Sequence, residues 1–398
     1  MTSTSLRDAA SANGAHRRPA DGAARLPLPR PRGPLSAALL AGLTAGPPAD
    51  DAPARLAPVR AALASALPGA AATDATAPGA TTPGAEPDRG ILDDGDLQLA
   101  LTVLYELHHR GVDGIDDTWE WEPSLLSVRQ TLERPFEAAV RARAGRPTCG
   151  ATDAAGFARR LFELAEADGA PSLARYVAKH ADARQAREFL ALRSVYQLME
   201  ADPHTWAIPR LHGTPKAALV EIQADEYGGG RPGRLHSELF ARAMRSAGLD
   251  DTYGRYLDAA PTPVLTSLNT MSFFALHRRL RGAIVGHLAA YEITSSIPSR
   301  LYGDGFRRLG YGTGTTQYFD EHVEADSVHE QIAAHDLAGR LVEQQPGLRD
   351  DVLLGAAACL AIDGDVGVFM LNRWQEGASA LLAPLDATPP RPGERDPE

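Results

Sequence analysis

Apolar residues recur at three- and four-residue spacing in nearly every segment from Tyr105 to about Ser379. That spacing is the period of a helix with one buried face. Prolines open several of the segments, as expected for the first helical turn. No run shows the sustained period-two alternation of a strand. The pattern predicts helices over Leu97–Arg110, Pro123–Arg143, Ala154–Ala167, Pro171–Lys179, Arg184–Ala201, Pro215–Tyr227, Arg234–Ala247, Pro263–Ile293, Phe319–Glu343 and Leu348–Gln375. The fold class is therefore expected to be all-α, most simply a helical bundle.

The two ends of the chain have a different composition. Residues 1–90 contain no Phe, Tyr or Trp but hold 13 of the 30 prolines. Such a segment buries too little apolar surface to offset its ordering entropy, so we expect it to be mostly disordered, with a short docking helix over Pro34–Leu43 as the exception. The chain is then divided into a disordered region 1–90, an N-terminal helical part 91–180, a bundle core 181–380 and a disordered tail 381–398.

Charge and cysteine content exclude several classes of protein. The chain has 40 basic and 51 acidic side chains, a net charge of −11, which argues against a nucleic-acid-binding protein. Two cysteines exclude a disulfide framework and a cysteine-rich zinc site. No run approaches the roughly 18 consecutive apolar residues of a membrane span, and the first residues lack the apolar core of a signal peptide. A soluble, cytoplasmic protein without membrane partners is expected.

The segment from Asp320 to Glu330 carries the strongest chemical signal. His322, Asp326 and His329 stand at positions i, i+4 and i+7, which places them on one stripe of a helix. Two imidazoles and a carboxylate on one stripe can chelate a metal, and nitrogen and oxygen donors without thiolate favour iron or manganese. The alternative is a solvated acidic face with two incidental histidines.

Three further acidic positions suggest the remaining ligands. Glu226 ends a helical stretch, a glycine-rich elbow follows, and His236 opens the next helix, although an ordinary helix connection would give the same pattern. Glu200 and Glu292 lie in apolar contexts, where a carboxylate needs a metal or an arginine partner. Four carboxylates (Glu200, Glu226, Glu292 and Asp326) would neutralise two Fe(II) ions, and His236, His322 and His329 would add neutral donors. The count fits two iron ions per chain in a carboxylate-bridged centre.

The order of these residues along the chain resembles that of the haem-oxygenase-like di-iron oxidases, the iron-containing redox enzyme family. That family carries a Glu, then a Glu and a His, another Glu, and a final helix with His-x3-Asp-x2-His. The sequence 225–230, Asp-Glu-Tyr-Gly-Gly-Gly, is similar to the family's elbow. The resemblance implies a bundle of about seven core helices, here with extra N-terminal helices, and a reaction that uses O2 and an external electron donor.

The ten-residue step from Glu226 to His236 resembles the N-oxygenating branch of the family. It implies a small amine or amino-acid-like substrate, in specialised-metabolite biosynthesis. Two alternatives stay open: a same-fold oxidase that decarboxylates its substrate or cleaves a C–C bond, and a non-catalytic helical scaffold. A homodimer is possible.

Other histidines are weaker candidates. Glu106 and His109 mimic the Glu-x-x-His pair of ferritin-like bundles, but no second copy was found in a matching context, so we interpret them as a structural or surface pair. His287 is expected in the core rather than against a substrate. His335 and Asp336, one to two turns beyond His329, are candidates to hydrogen-bond the metal ligands from outside the centre.

Overall fold

The computed structural model describes residues 25–67, 90–167, 169 and 171–385, and the side chains of residues 324–327 lie outside that description. The described residues form helices and no strand; Leu26 and Val112 make one isolated bridge. The all-α prediction is confirmed. The helices are α1 Pro34–Thr44, α2 Ala52–Arg55, α3 Ala57–Ala66, α4 Gly90–Asp93, α5 Gly95–Glu106, α6 Pro123–Ala144, α7 Ala154–Glu166, α8 Leu173–Lys179, α9 Ala183–Gln197, α10 Asp202–Thr205, α11 Gly213–Glu226, α12 His236–Ser246, α13 Thr262–Leu276, α14 Arg281–Arg308, α15 Thr313–Gln331, α16 Arg340–Gln344 and α17 Arg349–Gln375. A π-helical segment, Ile332–Gly339, joins α15 to α16.

Acidic side chains fix the starts of several helices. Asp94 accepts from two backbone N–H groups at the start of α5, and Asp153 accepts from Gly156 in α7. Asp182 and Gln185 form a reciprocal capping box at the start of α9. Each cap satisfies N–H groups that have no partner inside the helix. The start of helix α9 is important for the site because Glu200 follows three residues after the helix ends.

Helix α14 is the centre of the bundle and packs against α17, α15 and α8. Gly286 on α14 and Gly355 on α17 allow the closest approach. A Cβ at Gly286 would collide with the carbonyl of Val352, and one at Gly355 with the carbonyl of Ala283. The absent side chains therefore let the two helix backbones touch, and α14 carries Glu292 into the interior.

The N-terminal region departs from its prediction. The docking helix is confirmed as α1, but disorder is wrong for residues 25–67, which also form α2 and α3. Leu35, Leu39 and Leu43 are buried, and the carboxylate of Asp96 accepts from the backbone N–H groups of Leu35 and Ser36, each at 2.8 Å. Composition averaged over 90 residues hid this leucine face, which packs on α5. The prediction of a disordered tail from residue 381 is also wrong at its start, since Leu381 is buried and the backbone N–H of Leu382 donates to the carbonyl of Ala259 at 2.8 Å. Residues 1–24, 68–89 and 386–398, on which the rest of the disorder prediction falls, lie outside the described residues.

Two of the predicted helices differ most from the structure. The span Pro263–Ile293 is two helices, because α13 ends at Leu276 and α14 begins at Arg281. Helix α14 then continues through Pro298 to Arg308, since packing against α8 and α15 outweighs the cost of an internal proline. The span Phe319–Glu343 begins earlier, at Thr313, and contains the π-helical segment.

Among the described residues, one helix, Pro346–Gln375, has the length and composition of a membrane span. Half of its most apolar window is buried inside the protein, and it packs against α6, α13 and α14. Those contacts are the ones a core helix of a bundle makes.

Candidate metal centre

Six of the seven predicted ligands meet in the interior, and we call them the carboxylate–histidine cluster: Glu200, Glu226, Glu292, His236, His322 and His329. Their ligand atoms form two groups, each with all atoms within 4.8 Å of one another. The first group is Glu200, Glu226, His236 and His322, and the second is Glu226, Glu292 and His329. Glu226 belongs to both groups. All six side chains are buried.

The seventh predicted ligand is Asp326. It lies in α15, one turn after His322 and three residues before His329. Its side chain lies outside the described residues.

The glycine elbow after α11 brings Glu226 and His236 together. Gly228, Gly229 and Gly230 have φ values of 66°, 59° and 75°, the left-handed region that favours glycine. A Cβ at Gly228 would also lie 2.6 Å from the carbonyl carbon of Arg234. The chain therefore reverses within a few residues, and His236 Nδ1 lies 3.0 Å from Glu226 Oε2.

The orientation of His322 is set by its own helix. Its Nδ1 lies 2.8 Å from the carbonyl oxygen of Tyr318, and because a carbonyl only accepts, Nδ1 carries the proton. The lone pair is then on Nε2, which lies 3.6 Å from Glu200 Oε1. The Tyr318 hydroxyl donates to the other oxygen of Glu200 at 2.8 Å. Tyr318 thus positions both the imidazole and the carboxylate.

His329 is oriented in a similar way by a carboxylate. Its Nε2 lies 3.0 Å from Asp225 Oδ2, and its Nδ1 lies 3.6 Å from Glu292 Oε2. A histidine whose outer nitrogen donates to a carboxylate has its inner nitrogen fixed toward the centre, which is the arrangement common around metal-binding histidines.

The carboxylates and imidazoles of the cluster shift one another's pKa values against the effect of burial. Burial would raise the pKa of Glu226, but the nearby imidazoles, His236 first, outweigh burial and hold it below its usual range. Burial would lower the pKa of His329, but hydrogen bonds and charge from Glu292 and Asp225 raise it to about 9. The pKa of His236 is also raised, because Glu226 outweighs the effect of burial. Without a metal, protons on these imidazoles compensate the carboxylates.

A cavity of about 430 Å³ adjoins the cluster. Glu200, Glu226, Glu292 and His322 line one part of it, and much of the remaining wall is apolar or aromatic. That volume is within the range of small-molecule sites. A small substrate would therefore lie directly beside the carboxylates.

Comparisons with known proteins agree with this geometry. Residues 187–364 match the family model for the iron-containing redox enzymes. The matched region contains every member of the carboxylate–histidine cluster. One similar protein is the nitrosourea synthase of Streptomyces achromogenes subsp. streptozoticus, 29% identical over 161 residues. The match covers 40% of this chain and about a third (34%) of that relative.

The donors present suit the iron of an iron-containing redox enzyme. The first group offers two carboxylates and two imidazoles, and the second offers two carboxylates and one imidazole, with Glu226 counted in each. Oxygen and nitrogen donors with fewer protein ligands than an octahedral ion requires leave positions open for small molecules. The cluster is therefore compatible with iron.

The weaker candidates lie elsewhere. Glu106 is buried and accepts a hydrogen bond from Tyr253, whereas the ring of His109 contacts Trp206. His287 is a core residue with its Nδ1 3.2 Å from Nε2 of His204. The ring of His335 lies near Phe162, 6.4 Å between centroids. Asp336 is exposed.

Sequence reasoning missed two residues that orient the cluster. Tyr318 stands one turn before His322, on the same helical stripe, and that spacing could have identified it. Asp225 directly precedes Glu226, but its contact with His329 is made across 104 residues of sequence. Only the packing of α11 against the π-helical segment that follows α15 reveals it.

Proposed function

We propose that this chain is an O2-dependent, non-haem di-iron oxidase or oxygenase that oxygenates nitrogen in a small amine or amino-acid-derived substrate of specialised metabolism. The observation that carries the proposal is the position of Glu226, which belongs to both groups of ligand atoms. A carboxylate shared by two donor sets is suited to bridge two ions.

The ligand assignment follows from the two groups. Glu200, Glu226, His236 and His322 would hold one ion, and Glu226, Glu292 and His329 the other. Asp326, on the same stripe of α15, is proposed as the seventh ligand. With Asp326 the centre has four carboxylates against two Fe(II) ions, so the buried charge is balanced, as burial requires.

Two bound Fe(II) ions would supply electrons and activate O2, and an external donor would restore them after turnover. The protein's own residues would prepare the site. Tyr318 holds Glu200 and His322 in place, and Asp225 holds the ring of His329. The imidazoles of His236 and His329 would release their protons when metal binds, since a metal ligand must be neutral. The apolar part of the cavity wall would limit water beside the reacting groups.

Oxygenation at nitrogen is favoured over other outcomes by two observations. A nitrosourea contains an oxidised nitrogen, and a protein named nitrosourea synthase is 29% identical to this chain over 161 residues. The step from Glu226 to His236 is also that of the N-oxygenating branch which the sequence resembles. Decarboxylation and C–C cleavage are then outcomes that product analysis distinguishes.

The test is anaerobic loading with Fe(II), followed by O2 and a panel of amines and amino acids. We expect a transient visible absorption after O2, and a product that gains oxygen at nitrogen. Carbon dioxide or an alkene would instead support the decarboxylating alternative. Retention of fewer than two irons together with no oxygen uptake would contradict the proposal and favour a non-catalytic scaffold.

A further inference from the structure

We propose that Tyr318 is a redox-active side chain, which gives one electron and its hydroxyl proton to the metal centre after the centre has reacted with O2 without a bound substrate. This inference rests on the proposed function and adds an oxidisable side chain of this protein to its chemistry. Tyr318 lies on α15 and lines the cavity beside the carboxylate–histidine cluster. It is not among the ligands assigned above, so its part in the reaction is separate from metal binding.

Tyr318 contacts two residues that would hold the same ion. Its hydroxyl donates to Glu200 Oε2 at 2.8 Å, and the centroid of its ring lies 4.4 Å from that of the His322 imidazole. Glu200 and His322 both belong to the first group, whose ligand atoms lie within 4.8 Å of one another. An ion held by that group would therefore lie close to the phenol ring, and an electron from the ring would pass through only one ligand to reach it.

The hydrogen bond to Glu200 also provides a place for the proton. A carboxylate only accepts, so the shared proton belongs to the Tyr318 hydroxyl. A phenol that loses an electron becomes strongly acidic, and its oxidation is easiest where a base already accepts its O–H. The other oxygen of Glu200, Oε1, is the one 3.6 Å from His322 Nε2. Glu200 can therefore face the ion with one oxygen and take the proton on the other.

The step balances in electrons and protons. Tyr318 loses one electron to the iron that O2 has oxidised, and its proton passes to Oε2 of Glu200. One O–H bond breaks, another forms on Glu200, and a neutral phenoxyl radical remains on Tyr318. The external donor that restores the irons then supplies the electron that returns the radical to the phenol, and the proton returns from Glu200. An oxidant formed without substrate is thus reduced before it damages the surrounding protein.

The surroundings of Tyr318 keep such a radical in place. The side chain is 5% exposed, so little water reaches it. Its ring packs edge-on against Phe240 and Phe319, with centroids 4.9 Å and 5.3 Å away. Phenylalanine is much harder to oxidise than tyrosine, so neither of these two neighbours takes over the radical. We therefore expect it to persist long enough to be trapped by freezing.

Tyr196 provides a matched comparison within the same cavity. It also lines the cavity and precedes Glu200 by four residues. Among the described residues, however, the tyrosine hydroxyl bonded to Glu200 is that of Tyr318 and not that of Tyr196. Tyr196 therefore has the same side chain near the same carboxylate but lacks the proton acceptor. We expect it to stay unoxidised.

The test is freeze-quench electron paramagnetic resonance. The full chain is loaded anaerobically with Fe(II), mixed with O2 without any amine or amino acid, and frozen at a series of times. We expect a tyrosyl radical signal in the wild type, and its hyperfine splitting should collapse in protein made with ring-deuterated tyrosine. Tyr318→Phe should abolish the signal, whereas Tyr196→Phe should keep it. A signal of the same shape and size in Tyr318→Phe would overturn the inference.

A second measurement covers the case in which Tyr318→Phe disturbs the site, since that variant also removes a hydrogen bond from Glu200. Placing 3-fluorotyrosine at position 318 keeps the hydroxyl and the hydrogen bond. The fluorine nucleus should add a splitting to the radical signal, because the unpaired electron lies on the ring that carries it. An unchanged spectrum would show that the radical is on another residue.

Iron content and O2 uptake keep this inference apart from the proposed function. Two irons per chain that are oxidised by O2 without any tyrosyl radical would overturn the role of Tyr318 and leave the proposed function intact. A wild type that binds no iron, or that binds iron without taking up O2, would remove the proposed function itself.

Discussion

Two buried glutamates, Glu106 and Glu226, have similar burial and opposite chemistry. Both oxygens of Glu106 lie 3.0 Å from the Tyr253 hydroxyl, and burial raises its pKa to about 8. Glu226 is surrounded by three imidazoles, which hold its pKa below the usual range despite burial. Arg110 lies near Glu106 but is itself paired with Asp202, so burial dominates and the carboxyl of Glu106 takes up a proton. Glu226, among three imidazoles, stays charged. Only Glu226 therefore has the surroundings of a cation site.

The same contrast explains why the Glu-x-x-His motif at Glu106 is misleading. Its histidine, His109, contacts Trp206 rather than a second carboxylate. A metal-site motif on one helix has meaning only when other helices bring further donors to it. At Glu226 the other donors come from α12, α14, α15 and the residues after α9.

The largest effect on iron binding is expected for Glu226→Ala. Since Glu226 belongs to both groups of ligand atoms, its removal should abolish tight binding of both irons. Iron per chain after anaerobic loading and gel filtration measures the effect, and circular dichroism checks that helicity is kept. Glu106→Ala is the matched control and should retain two irons. Two tightly bound irons in Glu226→Ala would show that it is not a bridge.

Removal of a single histidine should weaken only the ion held by the group to which that histidine belongs. His322→Ala should weaken the ion of the first group, and His329→Ala that of the second, each lowering the iron content from two toward one. Asp326→Ala should also weaken iron binding if it is the seventh ligand. Full iron content and turnover in His322→Ala and Asp326→Ala would show that the assignment on α15 is wrong.

A smaller effect is expected for Asp225→Asn, which keeps the shape but removes the charge that orients His329. Loss of such a partner typically lowers metal affinity by about 10- to 100-fold. Competition with a metal chelator measures the affinity, and saturating iron should still give two ions. Glu221→Gln, an exposed residue one turn earlier on α11, is the control. Equal affinities in the two variants would contradict the role of Asp225.

The prediction with the least bearing on metal binding concerns the pH dependence of stability at Glu106. In the folded protein Glu106 keeps its proton up to about pH 8, whereas the ordinary value is 4.5. The stabilising contribution of protonated Glu106 to the free energy of unfolding is therefore fully present below about pH 4.5, and it is lost as the pH rises through 8. Between these two pH values the free energy of unfolding falls by at most about 1.4 kcal/mol per pH unit. Urea unfolding of Glu106→Gln between pH 5 and 8 should lack this slope; an unchanged slope would mean that another group causes it.

The sequence alone predicted the all-α fold and the six cluster residues, because helical periodicity and ligand spacing are local signals. It did not predict the leucine face of α1, which is diluted among prolines and alanines. Nor did it predict that Asp225 orients a ligand, because its partner His329 comes from a distant part of the chain.

The central claim is a centre of two irons bridged by Glu226. Anaerobic titration of the wild-type protein with Fe(II), with iron binding and proton release recorded together, tests it most directly. The account predicts a break at two irons per chain and release of protons at pH 7, since the metal-free forms of His236 and His329 have raised pKa values. A break at one iron, or binding without proton release, would contradict it.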